Sequence, residues 1–182
     1  MTVYIYWDAL NAWFLQDDFV WLSQLREVRS LADLPRIIFR PTVQGTLRPW
    51  SDRVFFLVFQ SLFGLDAFPY HAWVFLTQFV NLTLLAAVMA RVTRRASAAL
   101  VAPVLWTGNA VLVMTMAWAC LYKDILCSFF LLLAGYMALT CGPLRTWPRI
   151  LLFALVCGLA VSVKSTGFLL APSIAWLIVL QF

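Results

Sequence analysis

The sequence predicts an all-α protein, a polytopic transmembrane helix bundle with an extracytoplasmic first loop and an interfacial helix. Three observations predict it. Of the 182 residues, 64% are hydrophobic and 12% charged, where a soluble domain carries about 25% charged residues; the mean hydropathy is +0.90. Apolar runs of membrane-crossing length recur along the chain, separated by short polar or Gly-Pro interruptions. Trp50, Trp73, Trp118 and Trp147 stand at the edges of those runs, where amphipathic rings mark the two membrane interfaces. The net charge of +5 is read as topology and anion binding, and no aromatic-interleaved basic patch or motif points to nucleic acid. Cys120, Cys127, Cys141 and Cys157 lie in or beside apolar runs without CxxC spacing and read as free core thiols.

Taken in order, residues 1–15 are mostly apolar but contain Asp8, and they fall short of the roughly 20 residues a spanning helix needs. They lack the basic start and small-residue cleavage site of a signal peptide. They are expected to be the exit end of a first helix whose beginning is missing. The chain also stops at Phe182 inside an apolar run, so residues 1–182 read as one transmembrane domain incomplete at both ends. Residues 16–67 form the first loop. Its part 16–53 sets Asp17, Asp18, Glu27, Asp33 and Asp52 against Arg26, Arg29, Arg36, Arg40, Arg48 and Arg53. Residues 18–30 suit a short helix, and 40–49 should be irregular because each proline disfavours helix in the residue before it. Residues 54–63 are nearly all apolar and end at Gly64; too short to span, they should lie in the interface, anchored by Trp50 and the Asp52/Arg53 pair.

Membrane helices are expected over 68–90, 96–119, 125–141, 150–163 and 166–182. In the first, His71, Gln78 and Asn81 share one helical face, which must point into the bundle. In the second, Pro103 and Gly108-Asn109 are the expected kink or break. Residues 150–163 give about 21 Å of helix, a short span that sets Lys164 at or below the surface. Counting spans puts residues 91–95 and 142–149 on one side, and the acidic pair with Lys123 and Lys164 on the other. The two short loops carry Arg91, Arg94, Arg95, Arg145 and Arg149 and no acid, which makes them cytoplasmic by the positive-inside rule.

The chain resembles the GT-C superfamily of polyprenyl-phosphate-sugar-dependent membrane glycosyltransferases, a group that includes protein O-mannosyltransferases and lipid A aminoarabinose transferases. The matching residues are Phe14-Leu15-Gln16-Asp17-Asp18-Phe19 after a first helix, the turns Phe39-Arg40-Pro41 and Leu47-Arg48-Pro49, and the stretch Leu62-Phe63-Gly64-Leu65-Asp66-Ala67-Phe68-Pro69-Tyr70-His71. Val163-Lys164-Ser165-Thr166 before a proline-bearing helix completes them. Many relatives have an acidic residue after the lysine; Ser165 stands here. The resemblance implies a polyprenyl-phosphate sugar donor, catalysis by the acidic pair of the first extracytoplasmic loop, and a bacterial inner (plasma) membrane with the site facing the periplasm or exterior. Its members differ on whether a divalent metal assists.

The chemistry asks for the same residue types. Moving a sugar from a lipid phosphate to a hydroxyl needs a base for the acceptor proton and cations for the departing phosphate. Asp17 or Asp18 supplies the base, and Arg40, Arg48, Lys123 and Lys164 are the candidate phosphate ligands, with His71 and Asp124 as further site candidates. Asp17-Asp18 alone is no metal site, because oxygen-ligand cations want six or more donors. Each feature has a plainer role beside the functional one: a helix cap for the acidic pair, snorkelling for Lys164, a local ion pair for Lys123/Asp124, and a packing hydrogen bond for His71. Two other functional classes compete, a transporter with ionisable groups at the bilayer midplane, of whose internal repeat the sequence shows no sign, and a catalytically silent fragment.

Overall fold

The computed structural model of the chain describes residues 2–41, 45–140 and 147–168. Among the described residues the structure is all helical, with no strand. Two helices, Ala67–Thr93 and Ala119–Thr140, are long and apolar enough to cross a membrane, or three if the bent pair Ala96–Thr107 and Val111–Ala117 counts as one span. The chain divides into two compact units, Met1–Leu76 with Ala110–Ile125, and Thr77–Asn109 with Leu126–Phe182.

In the first unit, the expected helix end over residues 1–15 is replaced by two single turns, α1 (Thr2–Ile5) and α2 (Trp7–Leu10). The Asn11 side chain donates to the Trp7 carbonyl at 3.1 Å, offering the backbone an alternative to a further turn. Phe14 then packs edge-on against Tyr70 at 5.0 Å, drawing the chain into the core. Helix α3 (Asp17–Leu22) runs into a 3-10 turn over Ser23–Glu27, and a Ser30/Asp33 capping box opens a second 3-10 turn, Leu31–Asp33, that leads into the short α4 (Leu34–Ile38). A short helix, α5 (Phe55–Phe63), is present where one was expected, but a π-turn over Pro49–Val54 precedes it and buries Ser51, Asp52 and Arg53. Phe55, Phe56 and Leu57 in its first turn are buried while Val58, Leu62 and Phe63 are exposed, so the helix is covered at its start and open at its end. Gly64 closes it at φ 61°, ψ −126°, a conformation open to glycine and costly for any residue with a Cβ.

Aromatic rings hold α5 in place. Phe55 lies 4.4 Å from Tyr122 and 5.7 Å from Tyr70, and Phe59 lies 5.3 Å from Tyr70 and 5.9 Å from Trp73. The Trp73 indole donates to the Tyr122 hydroxyl at 2.8 Å. Such ring pairs add about 0.5–1.5 kcal/mol each beyond the area they bury.

Helix α6 (Ala67–Thr93) contains the expected first span and outruns it by a turn. The second expected span is two helices, α7 (Ala96–Thr107) and α8 (Val111–Ala117), broken at the Gly108-Asn109 site. Thr107 caps the end of α7 by donating its hydroxyl to the Pro103 carbonyl at 2.8 Å. Helix α9 (Tyr122–Thr140), continuous with a 3-10 turn at Ala119–Leu121, starts earlier than the expected 125, because Lys123 and Asp124 are tolerated in its first turn rather than interrupting it. Helix α10 (Trp147–Val163) begins three residues before the expected span. Past it, Gly167 sits so close to the α10 backbone that a Cβ there would fall 2.6 Å from the Ala160 carbonyl oxygen. Most of the expected span 166–182, with Cys141 and Arg145, lies outside the described residues.

Candidate functional site

The acidic pair is built into a turn of the first unit that starts with a strained residue. Gln16 has φ 27° and ψ −95°, a conformation L side chains rarely adopt and one that persists where the surrounding structure imposes it. The Asp18 amide donates to the Leu15 carbonyl at 2.8 Å, and the Leu15 amide donates to Asp18 Oδ2 at 2.9 Å, closing the turn on itself.

From there Asp18 reaches across the unit. Its Oδ1 accepts the Cys120 amide at 2.6 Å, with the Ala119 amide also directed at the carboxyl, while the Trp118 indole donates to the Leu15 carbonyl at 3.3 Å. Those amides belong to the turn that begins α9, and a carboxylate suits the positive end of a helix. Asp18 is fully buried. Burial pushes its carboxyl from 3.8 up to about 6, against the lowering effect of the Leu15, Cys120 and Ala119 amides and with a small further push from Asp17.

Asp17 is the opposite case. It is exposed, and among the described residues it makes no hydrogen bond or ion pair, so one carboxylate is committed to the scaffold and its neighbour is available. The charges of Asp18, Lys123, Asp17 and Asp52 all act on Cys120, which places three carboxylates and a lysine around the start of α9. Lys123 is half-buried, and so is Asp124 beside it in the first turn of α9.

Asp52, expected with Arg53 as an anchoring pair, is fully buried, and its direct contacts are to other residues. Ser51 Oγ donates to its Oδ1 at 3.0 Å, and the Arg48 guanidinium lies 3.6 Å from its Oδ2. Burial raises its carboxyl above the ordinary value, opposed by Lys123, Ser51, Arg48 and Arg53 in that order. Arg53 instead stacks 4.9 Å over Trp21 and donates to the Arg40 carbonyl at 3.3 Å. The spacing of Arg48 and Asp52, four residues apart after a proline-bearing turn, was the available signal.

The other candidates fall in three places. Arg40 pairs with Glu27 at 2.8 Å at the surface, both side chains about half exposed (54% and 48%), a kind of pair worth at most about 1 kcal/mol. His71 is fully buried near the start of α6; the Ala12 and Met116 main chains flank its ring, and neither meets bonding geometry with the ring nitrogens. Gln78 and Asn81, further along the same helix, are also fully buried, as the shared face requires, and Asn81 donates to Gln78 at 3.3 Å. Lys164 stands in the second unit, half-buried in the turn after α10, where its amide donates to the Ala160 carbonyl at 3.3 Å.

A cleft of about 450 Å³ opens elsewhere on the first loop, lined by Arg26, Glu27, Arg29, Asp33, Arg36 and Ile37. Among the described residues no three His, Cys, Asp or Glu side chains gather into a metal-binding group. The class these observations define is an all-helical chain with two or three helices of membrane-spanning length. Comparison with known proteins finds no matching family, no matching curated protein and no matching solved structure.

Proposed function

We propose that this chain carries the catalytic end of a membrane glycosyltransferase that moves a sugar from a polyprenyl-phosphate donor to a hydroxyl of a lipid, glycan or protein, on the extracytoplasmic face of a bacterial inner membrane. The observation that carries the reading is the hydrogen-bonding of Asp18 to the turn that begins α9, about a hundred residues away in sequence. That link brings the exposed Asp17 to the element bearing Lys123.

The roles follow from the environments. Asp17 is the general base: exposed, without a side-chain partner among the described residues, and fixed by the strained turn at Gln16. It takes the proton of the acceptor hydroxyl as that oxygen attacks the anomeric carbon. The bond from that carbon to the phosphate oxygen breaks, and its electron pair leaves with the polyprenyl phosphate. Lys123 and Arg48 balance the phosphate charge, aligned by the buried Asp52. Asp18 is a positioning residue. Cations aimed at a leaving phosphate and a base near the acceptor are the two contributions such a transfer needs from the protein.

The test is transfer itself. The protein reconstituted in phospholipid vesicles is supplied with polyprenyl-phosphate sugars bearing a radiolabel, and a membrane-lipid extract serves as acceptor source. Label should move into an acceptor with release of polyprenyl phosphate in equal amount. Donor left intact across a panel of sugars would remove the reading.

A further inference from the structure

Charge is divided unevenly between the two units. All eight carboxylates of the chain fall in the first unit, whereas the second holds Arg91, Arg94, Arg95, Arg145, Arg149 and Lys164 and no acid. The second unit therefore supplies no acidic side chain to Arg91, Arg94 or Arg95.

Three of them are gathered by a fixed turn where α6 ends. Arg94 has φ 55°, in the left-handed region where glycine or asparagine is the less costly residue. Its amide donates to the Ala90 carbonyl at 3.0 Å. The Thr93 hydroxyl donates to the Met89 carbonyl at 2.7 Å and accepts the Arg95 amide at 3.3 Å. Arg91, Arg94 and Arg95 are exposed, and among the described residues no ion pair or hydrogen bond engages their guanidinium groups. Together with Ala90, Ala96 and Leu139 they line an open cleft of about 620 Å³.

We propose that this cleft binds the headgroup of an anionic phospholipid, the three guanidiniums taking its phosphate oxygens and the apolar wall receiving the first carbons of its acyl chains. The place is right for it. The cleft lies at the end of an apolar helix of 27 residues, about 40 Å of helix and so about the thickness of a bilayer with its headgroups, and arginine offers phosphates a fork of donors. A positive-inside bias alone is satisfied by cations scattered over a loop; it does not call for a strained arginine in a turn stapled by a threonine. Basic clefts between membrane helices are a recurrent way of holding such headgroups. This inference stands independently of the glycosyltransferase reading.

The experiment uses the whole protein in nanodiscs of phosphatidylcholine doped with phosphatidylglycerol, reading by native mass spectrometry the enrichment of phosphatidylglycerol on the protein. Each arginine at an anionic surface contributes about a fivefold preference, so the wild type should be enriched and R91Q/R94Q/R95Q should return to the bulk ratio. R94G is the decisive variant, because glycine adopts the same turn without strain. It should lose about one fivefold step while melting no lower than wild type. Inorganic phosphate should neither stabilise the protein nor displace the lipid. Enrichment that survives both variants, or stabilisation by inorganic phosphate equal to that by phosphatidylglycerol, overturns the proposal.

Discussion

Asp17 and Asp18 are adjacent in sequence and opposite in environment, and the difference is measurable. The folded-state pKa of Asp18 is raised by burial from 3.8 to about 6. The folded protein therefore holds this proton over a window in which the unfolded chain has released it. The stabilisation is full below about pH 4 and is lost as pH rises through about 6, a change on the order of 3 kcal/mol for a shift of this size. Asp52, raised in the same direction, adds to it with the same sign. The thermal midpoint of the protein should accordingly fall between pH 4 and pH 7. Asp18→Asn should flatten that slope and lower the midpoint at acid pH, because an amide nitrogen cannot accept the Leu15 or Cys120 amide. An unchanged slope in Asp18→Asn would place the titration elsewhere. At this scale the sequence shows that two carboxylates lie in an aromatic setting; which of them is buried depends on amides about a hundred residues away, and no local pattern carries that.

Among the elements, α5 shows what a length argument delivers. A ten-residue apolar run cannot cross a bilayer, and the helix found is short, buried in its first turn and exposed at its end. The π-turn before it was only partly legible: Arg48 and Asp52 are a local pair, whereas the stacking of Arg53 on Trp21 joins residues far apart in sequence. The break between α7 and α8 was legible, since Gly108-Asn109 is a local signal. The rings of α5 make it a packed element. Phe55→Ala should cost about 3–5 kcal/mol in unfolding free energy, measured by denaturation in detergent, whereas Leu62→Ala, at a side chain 68% exposed, should change it by less than about 0.5 kcal/mol. Equal effects would mean that α5 is held by something other than the Phe55 cluster. Gly64→Ala should cost about 1–2 kcal/mol from backbone strain alone, since no atom lies within 4 Å of the added methyl group.

For the whole molecule, composition and apolar length were enough to predict an all-helical chain with spanning-length helices. The number of spans was less legible, because a broken helix pair and two short turns at the start read in sequence as continuous apolar runs. The distribution of charge predicts sidedness. In a background lacking the native cysteines, Arg94→Cys should react with an impermeant thiol reagent only after the membrane is opened, and Asp17→Cys in intact cells; the reverse pattern would invert the topology.

The central claim is that an exposed Asp17 is the base of a sugar transfer whose scaffold Asp18 supplies. It is tested most directly by the rate of sugar transfer from a polyprenyl-phosphate donor in Asp17→Asn. Because the Asp17 side chain is exposed and without a partner among the described residues, this variant should fold and melt as the wild type does. Transfer should fall by at least about 10²-fold, the lower end of what a general base contributes. A well-folded Asp17→Asn that transfers sugar at the wild-type rate would contradict the account.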